Sequence, residues 1–149
     1  MRHRRVFFLS KGESAELPDS RQREGLRADL TVEPVSTSIK AGEPVVLKVT
    51  ATNSGSTVWL LKEARVGLVR FGVHLFTADG KLIDLDYFRK NVPSEKREMM
   101  PGETVEFVAE VSLPSSGTYV LQCDLVSESV CWFEHNGSTT VMLKVDVSA

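Results

Sequence analysis

From Ala28 onward this chain alternates apolar and polar residues with a period of two, in one segment after another, and that pattern constrains its fold more than any other feature. The clearest case is 45–52. Val45, Leu47, Val49 and Ala51 fall on one side; Val46, Lys48, Thr50 and Thr52 fall on the other. Successive side chains of an extended strand point to opposite faces, so such a segment is a strand with one face to bury. The alternation recurs around Leu30 and Val32 up to Pro34, in 68–77 (Val69, Phe71, Val73 and Leu75 together), in 82–88, 104–113, 119–126 and 140–147. Turn signals separate these runs: Ala41-Gly42-Glu43-Pro44, Asn53-Ser54-Gly55, Asp79-Gly80, Pro101-Gly102-Glu103, Pro114-Ser115-Ser116-Gly117 and Asn136-Gly137. A single open sheet would leave all those apolar faces in water. The expected fold is therefore all-β, an immunoglobulin-like antiparallel β-sandwich of seven or eight strands.

At 149 residues the chain has room for one core and not two. The expected division is an N-terminal tail, partly disordered, over 1–27, followed by the sandwich over 28–149. The stretch 11–27 is rich in Glu, Ser, Arg and Gln, contains Pro18 and shows no period, apart from a helical turn expected around 20–26. Val6–Leu9 reads either as an edge strand or as an unordered apolar patch. Arg2, His3, Arg4 and Arg5 read as a solvated basic end. The net charge of −2, from 18 basic and 20 acidic side chains, lacks the basic footprint of a nucleic-acid binder. Val6–Leu9 is shorter than the apolar stretch of about 7–15 residues in a signal peptide. No apolar run approaches the ~18 residues of a membrane span. A complete chain of this kind is expected in the cytoplasm.

The residues disfavour several chemistries. His3, His74 and His135 are scattered, no Gly-x-Ser-x-Gly elbow occurs, and no phosphate-binding glycine loop is present. The expectation is a protein without catalytic residues or cofactor. No metal site is expected either, because Asp79, Asp84, Asp86 and Asp124 lack the dense spacing of a calcium loop. Cys123 and Cys131 have no zinc spacing and read as buried thiols; a disulfide between them becomes possible if a hairpin turn centres near Ser127. Aromatic residues are the better lead, because a sugar's C–H face stacks on a ring while its hydroxyls need polar neighbours. Trp59 follows a turn, where its ring either plugs one end of the sandwich or meets a ligand. Trp132 and Phe133 are adjacent, so on a strand one faces inward and the other outward. Glu128 and Glu134 flank them. Arg70, Gly72, His74 and Phe76 share the face opposite Phe71 and Val73, either a binding surface or an ordinary solvent face.

Several motifs stand in a familiar order: Val49-x-Ala51-x-Asn53-x-Gly55-x-x-x-Trp59; His74-Leu75-x-x-x-Asp79-Gly80; Arg89; Pro101-Gly102-Glu103; Gly117-x-Tyr119-x-Leu121; then Asp124-Leu125-Val126-x-Glu128-x-Val130-x-Trp132-Phe133 and Gly137-Ser138. Over about 28–147 the set resembles small bacterial immunoglobulin-like modules found beside glycosyltransferases and other cell-surface-polysaccharide proteins. More loosely, it is similar to the carbohydrate-binding C-terminal domain of O-antigen ABC transporters. The chain departs from that pattern at Ser129, where glycine is expected, and at Cys131, where a small or polar residue is common. The resemblance implies a non-catalytic binding or accessory module for carbohydrate, or for a partner in glycan assembly or export. The candidate ligand-binding residues are Trp59, His74, Arg89, Glu128, Trp132, Phe133 and Glu134. Two other readings remain: a structural or protein-interaction sandwich acting through a sheet edge or as a homodimer, and a small enzyme with an unrecognised site.

Overall fold

The structure is a computed structural model that describes residues 6–8 and 14–149, with side chains from Leu17 onward. The basic cluster Arg2–Arg5 and Leu9 lie outside the described residues. Among those described, the strands in chain order are β1 (Val6–Phe8), β2 (Ser14–Glu16), β3 (Ala28–Pro34), β4 (Ser38–Lys40), β5 (Val45–Asn53), β6 (Trp59–Leu60), β7 (Val69–Thr77), β8 (Leu82–Asn91), β9 (Glu98–Met99), β10 (Thr104–Val111), β11 (Gly117–Ser127), β12 (Cys131–Trp132) and β13 (Val141–Ser148).

Two sheets face each other. One has the order β10-β5-β3; the other runs β4-β13-β11-β7-β8, with β12 added beside β11. All these pairs are antiparallel except β13 with β4. The chain changes sheets between β3 and β4, just after Pro34 and a last bond from the Val35 N–H to the Val46 carbonyl. This strand order makes the fold an immunoglobulin-like β-sandwich. Short pairs, β1 with β2 and β6 with β9, lie apart from the two main sheets.

The core follows the alternation. Val45, Leu47, Val49 and Ala51 of β5 meet Val69, Phe71, Val73 and Leu75 of β7 and Leu121, Cys123 and Leu125 of β11 in one buried cluster. Phe71 and Phe107 touch edge to face, ring centroids 5.8 Å apart, and so tie one sheet to the other.

Residues 17–27 differ from the expected tail. Leu26 is fully buried, and Asp19 and Ser20 are buried with it. The Ser20 hydroxyl donates to the Gly67 carbonyl (2.6 Å) and accepts from the Leu60 N–H (2.9 Å), while the Ser127 hydroxyl donates to the Ser20 carbonyl. No helical turn forms at 20–26; the chain makes bends and turns closed by Gln22 N–H to Asp19 O and Leu26 N–H to Arg23 O. A polar segment that spends its hydroxyls inside the fold has the composition of a solvated one.

Candidate functional site

The site lies on the outer face of the β4-β13-β11-β7-β8 sheet, and register builds it. Gly72 of β7 sits between Asp124 of β11 and Arg89 of β8, and the neighbouring outward pair is Gln122 opposite His74. The chain leaves β11 at Ser127, turns through Glu128-Ser129-Val130, and returns as β12 with Trp132 opposite Val126. Ser129 takes a left-handed conformation (φ 62°), the geometry that glycine adopts most readily.

Trp132 therefore points outward, and Phe133 points into the core. Phe133 is fully buried and meets the fully buried Trp59 edge to face at 5.3 Å. The Trp132 ring reaches across β11 to lie on Gly72. A Cβ built at Gly72 would stand 2.6 Å from both Cη2 and Cζ3 of the indole, so any larger residue there would push the ring away. The ring centroid is 4.1 Å from that of His74, and the Arg89 guanidinium carbon lies 5.1 Å from it over the ring.

This lid makes an inner layer of a face that parity assigns to solvent. His74 is 3% exposed, Asp124 2% and Val126 3%. His74 and Asp124 both find partners. The His74 Nδ1–H donates to the Leu85 carbonyl, which leaves the lone pair on Nε2. Asp124 accepts the Leu125 N–H on Oδ1 (2.8 Å) and the Glu134 N–H on Oδ2 (2.9 Å). Burial pushes the Asp124 carboxyl up to about 6; the two backbone N–H groups and His74 pull the other way. Glu134, exposed, is the second residue of the 3-10 turn Phe133–Asn136 and accepts from Gln122 Nε2 at 3.4 Å. On the other flank Arg89 donates to Glu128 and Asp86, with Arg70 Nη1 3.7 Å from Glu128.

Of the seven residues singled out in the sequence, His74, Arg89, Glu128, Trp132 and Glu134 come together here. Trp59 and Phe133 do not: both are sealed in the core and present nothing to a ligand. Gly72, Asp124 and Gln122 complete the site. Alternation put Gly72 and Asp124 on outward positions, but the register that joins them is not a sequence property. Asp79 and Asp84 are engaged elsewhere, with the Thr77 hydroxyl and the Asp86 N–H, while Asp86 accepts from Arg89 at the flank of the site.

Cys123 and Cys131 are free thiols. A turn centred on Ser127 would have opposed them, but the turn centres on Ser129. Cys131 consequently pairs with Ser127, while Cys123 lies between Val73 and Val141. Burial, with the Asp124 charge beside it, pushes the Cys123 thiol up to about 12.

No known family profile matches the chain, and no curated protein matches it. Among solved structures it is similar to the CARDB domain of a Pyrococcus furiosus protein in complex with di-metal ions, at 14% identity over 85% of this chain and 97% of that one, TM-score 0.49. A β-glucosidase from Listeria innocua in complex with glucose is similar at 11% identity and TM-score 0.48, covering 82% of this chain and 16% of the enzyme. A PKD domain of an M14-like peptidase from a Thermoplasmatales archaeon covers 85% of this chain and 98% of its own at 14% identity, TM-score 0.39. The immunoglobulin-like assignment stands on the strand order itself. No helix among the described residues is long and apolar enough to cross a membrane.

Proposed function

We propose that this chain is a non-catalytic accessory module that binds carbohydrate on the outer face of the β4-β13-β11-β7-β8 sheet, with Trp132 as the stacking surface. The observation that carries this reading is a half-buried indole held in place by Gly72, His74 and Arg89, with Gln122, Glu128 and Glu134 around it. A ring already immobilised loses little rotamer freedom when a sugar stacks on it. Charged and amide groups at its rim supply the hydroxyl partners that a sugar needs. Cell-surface glycan assembly or export, which the motif resemblance implies, is the setting in which a carbohydrate-binding module of this kind serves a larger machine.

The test is a glycan array followed by calorimetry with bacterial polysaccharide fragments. Binding is expected from the wild-type chain and is expected to vanish in Trp132→Ala. Silence across a broad panel, or binding untouched by Trp132→Ala, overturns the reading.

One observation favours a second reading, docking through a sheet edge. β8 is an edge strand that exposes Leu82, Ile83 and Leu85 at 53%, 45% and 53%. An unpaired ladder with apolar side chains is a pairing template. Light scattering across a concentration series checks it: a dimer that Leu82→Lys with Leu85→Lys dissociates supports the edge, and a monomer at all concentrations counts against self-pairing.

A further inference from the structure

We infer that His74, Asp124 and Glu134 form a site for a divalent transition-metal ion such as Zn²⁺ or Mn²⁺, beside the Trp132 ring. The inference is independent of the carbohydrate reading. One donor atom from each of the three residues lies within 4.8 Å of the others. The centre of a triangle with such edges is about 2.8 Å from each corner, against the roughly 2.0–2.2 Å of a zinc–nitrogen or zinc–oxygen bond. Because 4.8 Å is the longest of those separations, the donors need close by at most about 0.8 Å. Glu134 is exposed and can swing in, while His74 and Asp124 are fixed by burial and hydrogen bonds.

Those hydrogen bonds are the supporting shell that a metal ligand requires. A ligating histidine donates its other ring N–H to a carbonyl or carboxylate, which fixes the tautomer and aims the free nitrogen. The His74 Nδ1 bond to the Leu85 carbonyl does this and leaves Nε2 as the ligand atom. Ligating carboxylates are likewise held by hydrogen bonds, and Asp124 is held by two backbone N–H groups. Charge points the same way. Two carboxylates face one another across the site, and the adjacent guanidinium, Arg89, is engaged by Glu128 and Asp86. A divalent cation balances the pair. The imidazole selects a borderline transition ion over Ca²⁺, which takes six to eight oxygen donors. Three protein donors leave a further position for water or a ligand oxygen.

The experiment uses the tag-free full chain stripped with EDTA and titrated with Zn²⁺ by calorimetry. One-to-one binding is expected. Glu134→Gln, a change at an exposed side chain, is expected to weaken it by at least about tenfold. His3→Gln, Cys131→Ser and His135→Gln, which remove other zinc-affine groups, are expected to leave it unchanged. With Mn²⁺, the NMR signals of His74 and Trp132 are expected to broaden first. Three results overturn the inference: no heat with either ion up to about 1 mM, Zn²⁺ binding undiminished by Glu134→Gln, or Mn²⁺ broadening centred away from His74.

Discussion

Replacing Gly72 by alanine tests whether the Trp132 ring sits where the register puts it. The new Cβ would stand 2.6 Å from Cη2 and Cζ3 of the indole. Carbon atoms in contact prefer about 3.5–4.0 Å, so the ring must retreat by about 1 Å. Retreat weakens two contacts: the guanidinium over the ring, worth about 0.5–1 kcal/mol at a partly exposed site, and the ring contact with His74, of similar size. Against this, alanine in a strand interior recovers about 0.5–1 kcal/mol of the backbone entropy that glycine forfeits. The clash falls on the far end of one side chain, so the net destabilisation is small, about 1 kcal/mol. Gly72→Val leaves the ring no place over β7 and uncovers His74 and Asp124. Urea unfolding measures the stability, and tryptophan emission with iodide quenching measures the displacement. Trp59 is fully buried, so changes in quenching report Trp132. Emission is expected to shift red and quenching to rise in the order wild type, Gly72→Ala, Gly72→Val, with carbohydrate binding lost in the same order. A Gly72→Val protein with wild-type emission, quenching and stability would refute the placement.

Other predictions follow from single contacts. Phe133→Ala removes a fully buried ring that seals against Trp59 and is expected to cost about 3–5 kcal/mol in urea unfolding. Ser129→Gly relieves a left-handed serine, and after the entropy that glycine loses, the variant is expected to be about 0.5–1 kcal/mol more stable by the same assay. Raising a thiol's pKa lowers its thiolate fraction, so Cys123, pushed up to about 12, is on the order of 10⁻⁴ thiolate at pH 8. Mass spectrometry after iodoacetamide treatment of the native protein is expected to find the half-buried Cys131 alkylated first and Cys123 only upon unfolding.

What could be read in the sequence divides along one physical line. Which face a residue takes inside a strand depends only on parity, so Val45, Leu47, Val49, Phe71 and Leu121 were assignable to the core before any neighbour was known. Parity does not survive a turn. Trp132 and Phe133 were known to point apart, but the turn between β11 and β12 decided which went where. Centring that turn on Ser129 rather than Ser127 set Trp132 opposite Val126 and separated the two cysteines. Trp59 follows a turn too, and its burial was open for the same reason. The row Asp124–Gly72–Arg89 needs the register of three strands, which no local pattern carries. Composition misled at 17–27, where Ser20 spends its hydroxyl on two backbone groups inside the fold.

The outer face of this sheet holds more than solvent contact requires. Asp124 adds nothing to the apolar core, and an isolated buried carboxylate is costly unless hydrogen bonds or charge offset it. Here the offset is built from the backbone of Leu125 and Glu134, and a tryptophan is folded back over a glycine to keep the layer covered. The two ligand classes proposed for this place make separable demands. A sugar needs the indole surface, so Trp132→Ala removes its binding while the three metal donors remain. A metal ion needs the third donor, the Glu134 carboxylate, so Glu134→Gln removes the ion while the ring and the Arg89–Glu128 pair remain. If sugar binding in the EDTA-stripped chain equals that in the zinc-loaded chain, the two sites act independently. If zinc strengthens sugar binding, the sugar must strengthen zinc binding by the same factor, and a single calorimetric cycle measures both.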